Sequence, residues 1–299
     1  MAEPLVESYE YDQAFARNIG WVTVQEQTRL RNMRIAIAGM GGVGGSHLIT
    51  LARLGIGRFT IADGDSFELV NFNRQIGATL DTLGRSKTEV LAEMLRKINP
   101  DVDVRVFNGR VHQDNLAEFL DGADAYVDSL DFFAFEARRQ TFAMCHRLKI
   151  PAVTAAPLGM GSAVLSFLPG RMSFEEYFRL EGHSEQEQAI RFLIGLSPAM
   201  LQRAYLADAS RVNLAEHRGP STIMACQMCA GFAATETLKI LLGRGKVLAA
   251  PWGYQFDAYR NRFVRTWRPF GNNNPIQRVA LWIARRQLAA MAEAGKHAA

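Results

Sequence analysis

Cysteine is scarce in this chain of 299 residues: Cys145, Cys226 and Cys229 are the whole complement. So small and odd a number argues against a disulfide framework and for a reducing compartment, with the cytoplasm as the expectation. Charge of one sign is equally thin. Lys and Arg number 34 against 30 for Asp and Glu, a formal +4, which tolerates anionic ligands but supplies no clustered basic face of the kind nucleic acid demands. Long apolar runs are missing too. The strongest, such as Val279 to Ala284, falls far short of the roughly 20 residues that cross a bilayer. Met1 to Glu10 carries acids where a signal peptide needs an apolar segment. What is present, 48% hydrophobic and 21% charged residues, fits a globular protein able to bury a core, as one large domain or two small ones.

Short apolar runs alternate with helical patterns. Arg34 to Ala38 reads as a strand, followed by a glycine-rich turn and a helix from Ser46 to Leu54. Phe59 to Ala62, Val102 to Phe107, Ala125 to Val127 and Ala152 to Ala155 read as further strands. Between them come helical stretches at Ser86 to Ile98, Asn115 to Leu120 and Ala134 to Leu148. Such alternation predicts an α/β fold, a parallel sheet with right-handed crossovers and helices on both faces. The rhythm then changes. Ala163 to Leu168 reads as one more strand and Phe174 to Leu206 as helical without an intervening strand. Residues 207 to 220 form a polar loop, Ser221 to Leu242 a long apolar helix stopped by Gly243, and Tyr254 to Phe256 with Phe263 to Thr266 a hairpin.

The turn Gly39-Met40-Gly41-Gly42-Val43-Gly44-Gly45 between strand and helix suits a phosphate. Residues without side chains let backbone N–H groups approach the anion, and the helix amino terminus adds partial positive charge. Asp63 closes the second strand, where an acid can accept ribose hydroxyls. This predicts nucleotide binding through Gly39, Gly41, Gly42, Gly44 and Asp63, and leaves open a dinucleotide or ATP.

Downstream stand Asp63-Gly64-Asp65, then Asn71-Phe72-Asn73-Arg74-Gln75, and Gly84-Arg85-Ser86-Lys87 at a helix start. This order resembles the ubiquitin-activating-enzyme-like adenylyltransferases, the ThiF/MoeB/HesA group, with their GxGGxG turn, D-x-D element, N-x-x-R-Q and downstream lysine. The resemblance covers residues 11 to 170 closely and the helix Ser221 to Leu242 more loosely. It implies a Rossmann-like, mostly parallel sheet, with a helical elaboration and a carboxyl-terminal hairpin and helix. It implies ATP as cofactor, with Asp63 and Asp65 in the acid-rich element, Asn71, Arg74 and Gln75 walling the ATP site and Lys87 clamping phosphate. Val127-Asp128-Ser129-Leu130-Asp131 resembles the family's strand-end D-x-x-D, which would put Asp131 on Mg²⁺. Phe15-Ala16-Arg17-Asn18-Ile19 is similar to the family's opening segment, which would send Arg17 into a second subunit's site and implies a homodimer. The segments expected are 1–33 (helical, dimer contact), 34–170 (ATP-binding core), 171–274 (insertion, crossover loop, long helix, hairpin) and 275–299 (amphipathic helix).

The residue types match the chemistry. A substrate carboxylate is ionised at neutral pH and needs no base to attack the α-phosphorus. Its obstacle is repulsion, about 4 kcal/mol for two like charges about 4 Å apart at an effective dielectric of 20. Arg17, Arg74, Lys87 and a metal on Asp131 would offset it. Each residue also has a plain structural reading: Lys87 a solvated lysine, Arg74 a surface ion-pair partner, Asp128 or Asp131 a cap for the helix near Ala134, and Arg17 a surface charge.

The chain departs from the family in two places. Many relatives bind zinc with two C-x-x-C pairs, whereas only Cys226-Gln227-Met228-Cys229 is present, so buried thiols and no zinc are expected. Some relatives carry a thioester-forming cysteine in the crossover loop. Arg211 to Pro220 has none, leaving Cys226 as the nearby sulfur and His217 as a loop group able to move a proton. The resemblance thus implies activation of a carboxylate as an acyl-adenylate, the substrate being a small carboxylate or the Gly-Gly end of a ubiquitin-like or sulfur-carrier protein. Alternatives are dehydration of threonylcarbamoyladenosine in tRNA, whose enzymes share strings like Asn73 to Ile76 and Gly55 to Gly57, an NAD-dependent oxidoreductase, and a silent nucleotide-binding scaffold. Nucleic acid enters as a partner only under the tRNA alternative. Pro275 to Ala299 places Ile276, Val279, Trp282 and Ile283 at helical spacing among arginines, a helix suited to packing on the body or a dimer mate, or to a membrane surface.

Overall fold

The computed structural model describes residues 8–212 and 219–297. The chain opens with α1 (Tyr11–Ala14), a 3-10 turn (Ala16–Asn18) and α2 (Val24–Asn32). Thr23 starts α2 with a reciprocal cap, its hydroxyl accepting the Glu26 N–H while the Glu26 carboxylate accepts the Thr23 N–H. Strands and helices then alternate: β1 (Arg34–Ala38), α3 (Gly42–Arg53), β2 (Arg58–Asp63), α4 (Lys87–Ile98), β3 (Asp103–Asn108), α5 (Leu116–Phe119), β4 (Ala125–Asp128), α6 (Phe135–Leu148) and β5 (Ala152–Leu158). The remainder comprises β6 (Gly161–Phe167), α7 (Phe174–Phe178), α8 (Glu185–Leu196), α9 (Ile223–Leu242), β7 (Trp252–Asp257), β8 (Arg262–Trp267) and α10 (Pro275–His297).

Among the described residues, eight strands join one sheet in the order β3-β2-β1-β4-β5-β6-β7-β8. β1 to β5 run parallel and β5 to β8 antiparallel. The expected α/β architecture with helices on both faces is present. The expected terminal hairpin, β7 and β8, extends this same sheet: the tight turn at Gly159 and Met160 reverses the chain into β6, and β7 returns to pair antiparallel with β6. The expected helical stretch Phe174 to Leu206 is split into α7, α8 and a 3-10 segment (Leu201–Tyr205). Arg179 and Met200 adopt left-handed backbone at the breaks, and the Ser184 hydroxyl restarts the chain as the cap of α8.

Strand alternation sorts the interior into two cores. Ile35 and Ile37 face one with Leu48, Leu91, Leu95 and Ala233, under α3, α4 and α9. Ala36 and Ala38 face the other with Phe142, Phe167, Phe174 and Phe178, under α6 and α7. β1 is buried on both faces, as a central parallel strand must be. Each fully buried large side chain contributes about 1.5–3 kcal/mol. α10 lays Leu281 against Ile190 and Ile194 of α8 and leaves Ile276, Val279, Trp282 and Ile283 exposed. No helix among the described residues is long and apolar enough to cross a membrane.

Candidate functional site

Register puts three strand ends level. Ala38 pairs with both Ala62 and Asp128, so β1, β2 and β4 stop at one edge. Strand order reverses beside β1, and the crevice outside that reversal is where open α/β sheets bind ligands. Gly39 leaves β1 with φ +90°, and its N–H donates to the Ala62 carbonyl at 2.8 Å. A Cβ on Gly39 would fall on the Ser129 carbonyl, and one on Gly44 would overlap the Gly39 carbonyl. The Ser129 hydroxyl shares its one proton between the carbonyls of Ala38 at 2.8 Å and Gly39 at 2.7 Å, pinning the turn to the end of β4. α3 starts at Gly42, not at the expected Ser46, because Gly42, Gly44 and Gly45 form its first turn and permit close approach there. Gly41 is its N-cap and offers no side chain, so the leading N–H groups are left for an anion.

Asp63 ends β2 beside this turn. Its carboxylate accepts the Met40 N–H at 2.6 Å on one oxygen and the Asp65 N–H at 2.7 Å on the other. Backbone dipoles thereby fix the acid's orientation. Next comes a 3-10 turn (Leu69–Asn71), where Asn71 is buried and its side-chain oxygen accepts the Glu68 N–H at 2.9 Å. The Asn71 carbonyl accepts the Arg74 and Gln75 N–H groups, which carries both side chains toward the glycine turn. A Cβ on Gly42 would lie 3.1 Å from Arg74 Cγ, and the Arg74 guanidinium donates to the Val70 carbonyl and Asn73 Oδ1. Gln75 is buried beside Gly41, and its Oε1 has no hydrogen-bond partner among the described residues.

Lys87 opens α4. Its side chain is 7% exposed and its ammonium lies 3.2 Å from Asp65 Oδ2, whose side chain is 55% exposed. Lys87 is thus a buried, paired cation and not the solvated lysine of the plain reading. Asp128 and Asp131 divide sharply. Asp128 is buried and bonded to Arg138, Thr154 and Tyr126. Asp131 is exposed at the loop tip, where one oxygen accepts the Phe133 N–H at 3.0 Å and caps the turn before α6. Its other oxygen makes no hydrogen bond to the described residues.

Arg17 stands apart. It is exposed, and neighbouring Asn18 donates to the Leu54 carbonyl at the far end of α3, about 18 Å along the helix axis from the glycines. It makes no hydrogen bond or ion pair to the described residues. Cys226 lies under the turn, its sulfur 3.0 Å from where a Gly42 Cβ would sit, and burial pushes its thiol pKa up. Cys229 donates to Ser162 Oγ at 3.1 Å. His217 lies outside the described residues. Among the described residues no group of three His, Cys, Asp or Glu side chains could hold a metal by itself.

Sequence reasoning missed Ser129, which sits inside the quoted strand-end string, and Arg138 and His47, which belong to no motif. His47, in α3, is buried with neither ring nitrogen bonded to any of the described residues, and desolvation drives its pKa down to about 3.

Fold and site together define a nucleotide-binding α/β protein whose phosphate turn is ringed by polar and cationic side chains. The chain belongs to the ThiF family, whose pattern matches residues 15–279. It is 34% identical over 150 residues to the tRNA threonylcarbamoyladenosine dehydratase of Haemophilus influenzae, spanning 50% of this chain and 57% of that protein. It is 30% identical over 148 residues to the sulfur carrier protein ThiS adenylyltransferase of Escherichia coli, spanning 50% of this chain and 58% of the other. The chain therefore spans under three-fifths of the length of these two relatives. Among solved structures, that of E. coli MccB with ATP superposes with a TM-score of 0.64 at 20% identity, covering 87% of this chain and 71% of that one.

Proposed function

We propose that this protein uses ATP to activate a carboxylate as an acyl-adenylate, releasing pyrophosphate. The observation that carries the reading is the gathering of Arg74, Gln75 and the Lys87–Asp65 pair around a glycine turn braced by Asp63 and Ser129. A carboxylate oxygen bonds to the α-phosphorus while the bond from that phosphorus to the bridging oxygen breaks, and the electron pair leaves with pyrophosphate. The α3 amino terminus and Lys87 bind the phosphates, Arg74 draws charge from the attacking and leaving oxygens, and Asp63 accepts ribose hydroxyls. Asn71 shapes the wall that presents Arg74 and Gln75.

Mg²⁺ fits the site in the manner this ion prefers, with one or two carboxylates and the remainder from phosphates and water. The free oxygen of Asp131 would hold it, and it would supply charge neutralisation on the triphosphate. Arg17 points the reading toward a homodimer. Its exposure and its distance from its own turn support that reading, as does the exposure of Trp21 and Val24, a few residues on in sequence, at 85% and 60%.

The substrate we favour is the Gly-Gly carboxyl end of a small ubiquitin-like or sulfur-carrier protein, which the likeness to the ThiS adenylyltransferase supports. A second reading, dehydration of threonylcarbamoyladenosine in tRNA through the same adenylate, is favoured by the likeness to the dehydratase and by the lack of cysteine in Arg211 to Pro220. Exchange of labelled pyrophosphate into ATP tests both, with a Gly-Gly-terminated carrier, small carboxylates and the modified tRNA as separate additions. Exchange with the carrier is expected; exchange with the tRNA alone moves the assignment to the dehydratase. Failure to bind ATP, with binding of NAD, overturns adenylation altogether.

A further inference from the structure

We infer that Arg138 is a positioning residue of the adenylation site, acting through the backbone of the loop that carries Asp131. This rests on the function proposed above. Arg138, on α6, is buried to 2% exposure. Its Nε donates to Asp128 Oδ2 at 2.9 Å, which balances its charge. Its remaining donors go elsewhere: Nη2 to the carbonyls of Leu130 at 2.6 Å and Asp131 at 3.0 Å, and Nη1 to that of Phe132 at 3.2 Å. An ion pair needs only the first of these contacts. The other three collect consecutive, part-buried carbonyls from a segment without helix or sheet, acceptors that no strand ladder serves.

Asp128 is held as firmly as it holds. It accepts from Thr154 Oγ1 at 2.9 Å, from Tyr126 at 3.2 Å and from the Leu130 N–H at 3.3 Å. The guanidinium also stacks on the Phe192 ring, 4.6 Å from its centroid, and Phe192 belongs to α8 of the insertion after residue 170. Phe132, on the same loop, packs against Phe192 with ring centroids 5.2 Å apart. The helical insertion and the nucleotide site thus share one buried cation. Its rigid planar fork, not its charge alone, sets where the Asp131 carboxylate stands.

The test uses the full chain, MgATP as the probe and calorimetry as the readout, with wild type, Arg138→Lys, Asp131→Ala and the double variant. Lysine keeps the charge but cannot reach the four acceptors. Arg138→Lys is expected to bind MgATP at least tenfold more weakly, and amides of residues 129 to 134 to exchange hydrogen faster while those of β1 keep their protection. On the Asp131→Ala background the same change is expected to weaken binding less than threefold further. Unchanged affinity in folded Arg138→Lys, or the full tenfold loss repeated on that background, overturns the assignment. Should Arg138→Lys fail to fold, Phe192→Leu, which removes the stacking ring, is expected to weaken binding at least threefold, again without effect on the Asp131→Ala background. Wild-type affinity in Phe192→Leu overturns the assignment. Wild-type protein that binds no MgATP overturns the adenylation reading, and this inference with it, before any variant is compared.

Discussion

Replacing Lys87 with methionine removes one positive charge from the phosphate rim and leaves most of the buried stem in place. The structure bounds the effect on both sides. Lys87 is buried at 7% exposure, but its partner at 3.2 Å, Asp65, is 55% exposed, so the carboxylate left behind stays solvated and the loss of the pair costs folding no more than about 1 kcal/mol. The effect on the reaction is larger. With an effective dielectric near 20 at such a rim, one charge about 4 Å from a phosphate oxygen is worth about 4 kcal/mol. The ammonium must exchange its Asp65 contact for the phosphate, which lowers the net to between about 1.4 and 2.7 kcal/mol, a tenfold to hundredfold loss of rate. The assay is pyrophosphate exchange at saturating ATP with the carboxylate that supports the wild type, alongside a thermal melt. An exchange rate within threefold of wild type, in a protein that melts normally, refutes the electrostatic argument.

Two further outcomes are expected. Gly44→Ala places a methyl group on the Gly39 carbonyl; the turn must open, and nucleotide binding measured by calorimetry should fall beyond detection while the sheet still melts cooperatively. His47→Leu tests a group buried as a neutral base, with pKa near 3 against an ordinary 6.5. Below pH 6.5 the unfolded chain takes up a proton that the native state refuses, so native stability is full above 6.5 and is lost as pH falls toward 3. At 1.36 kcal/mol per pH unit this amounts to about 2 kcal/mol at pH 5. Urea melts should therefore show the variant gaining about that much on wild type between pH 8 and pH 5, and a gap that does not change with pH would mean His47 is not held neutral.

Legibility followed the range of the physics. The β1 strand, the glycine turn and Asp63 were readable because strand period, turn chemistry and helix start are local and lie within 30 residues. The start of α3 was misplaced for a local reason as well: glycine disfavours helices, yet here the absence of Cβ admits the Gly39 carbonyl and the Arg74 stem. The division of Phe174 to Leu206 was foreshadowed by Gly182 and Pro198, punctuation that periodicity overrode. Arg138 and His47 were invisible because their meaning depends on what surrounds them. Arg138 meets Phe192 from 54 residues away, and an unbonded histidine differs from a solvated one only in burial. Sheet order had the same limit, since β7 could join β6 only once the reversal at Gly159 was known.

Cys226 against Gly42 has a consequence for how the molecule comes into being. The glycine turn is backed by a segment synthesised some 180 residues after it. A nascent chain that has already exposed the glycines, the acid and the lysine still lacks the surface that backs them. On the ribosome, affinity for nucleotide should therefore arrive late and abruptly, when α9 docks, and a ligand added earlier would find nothing to stabilise.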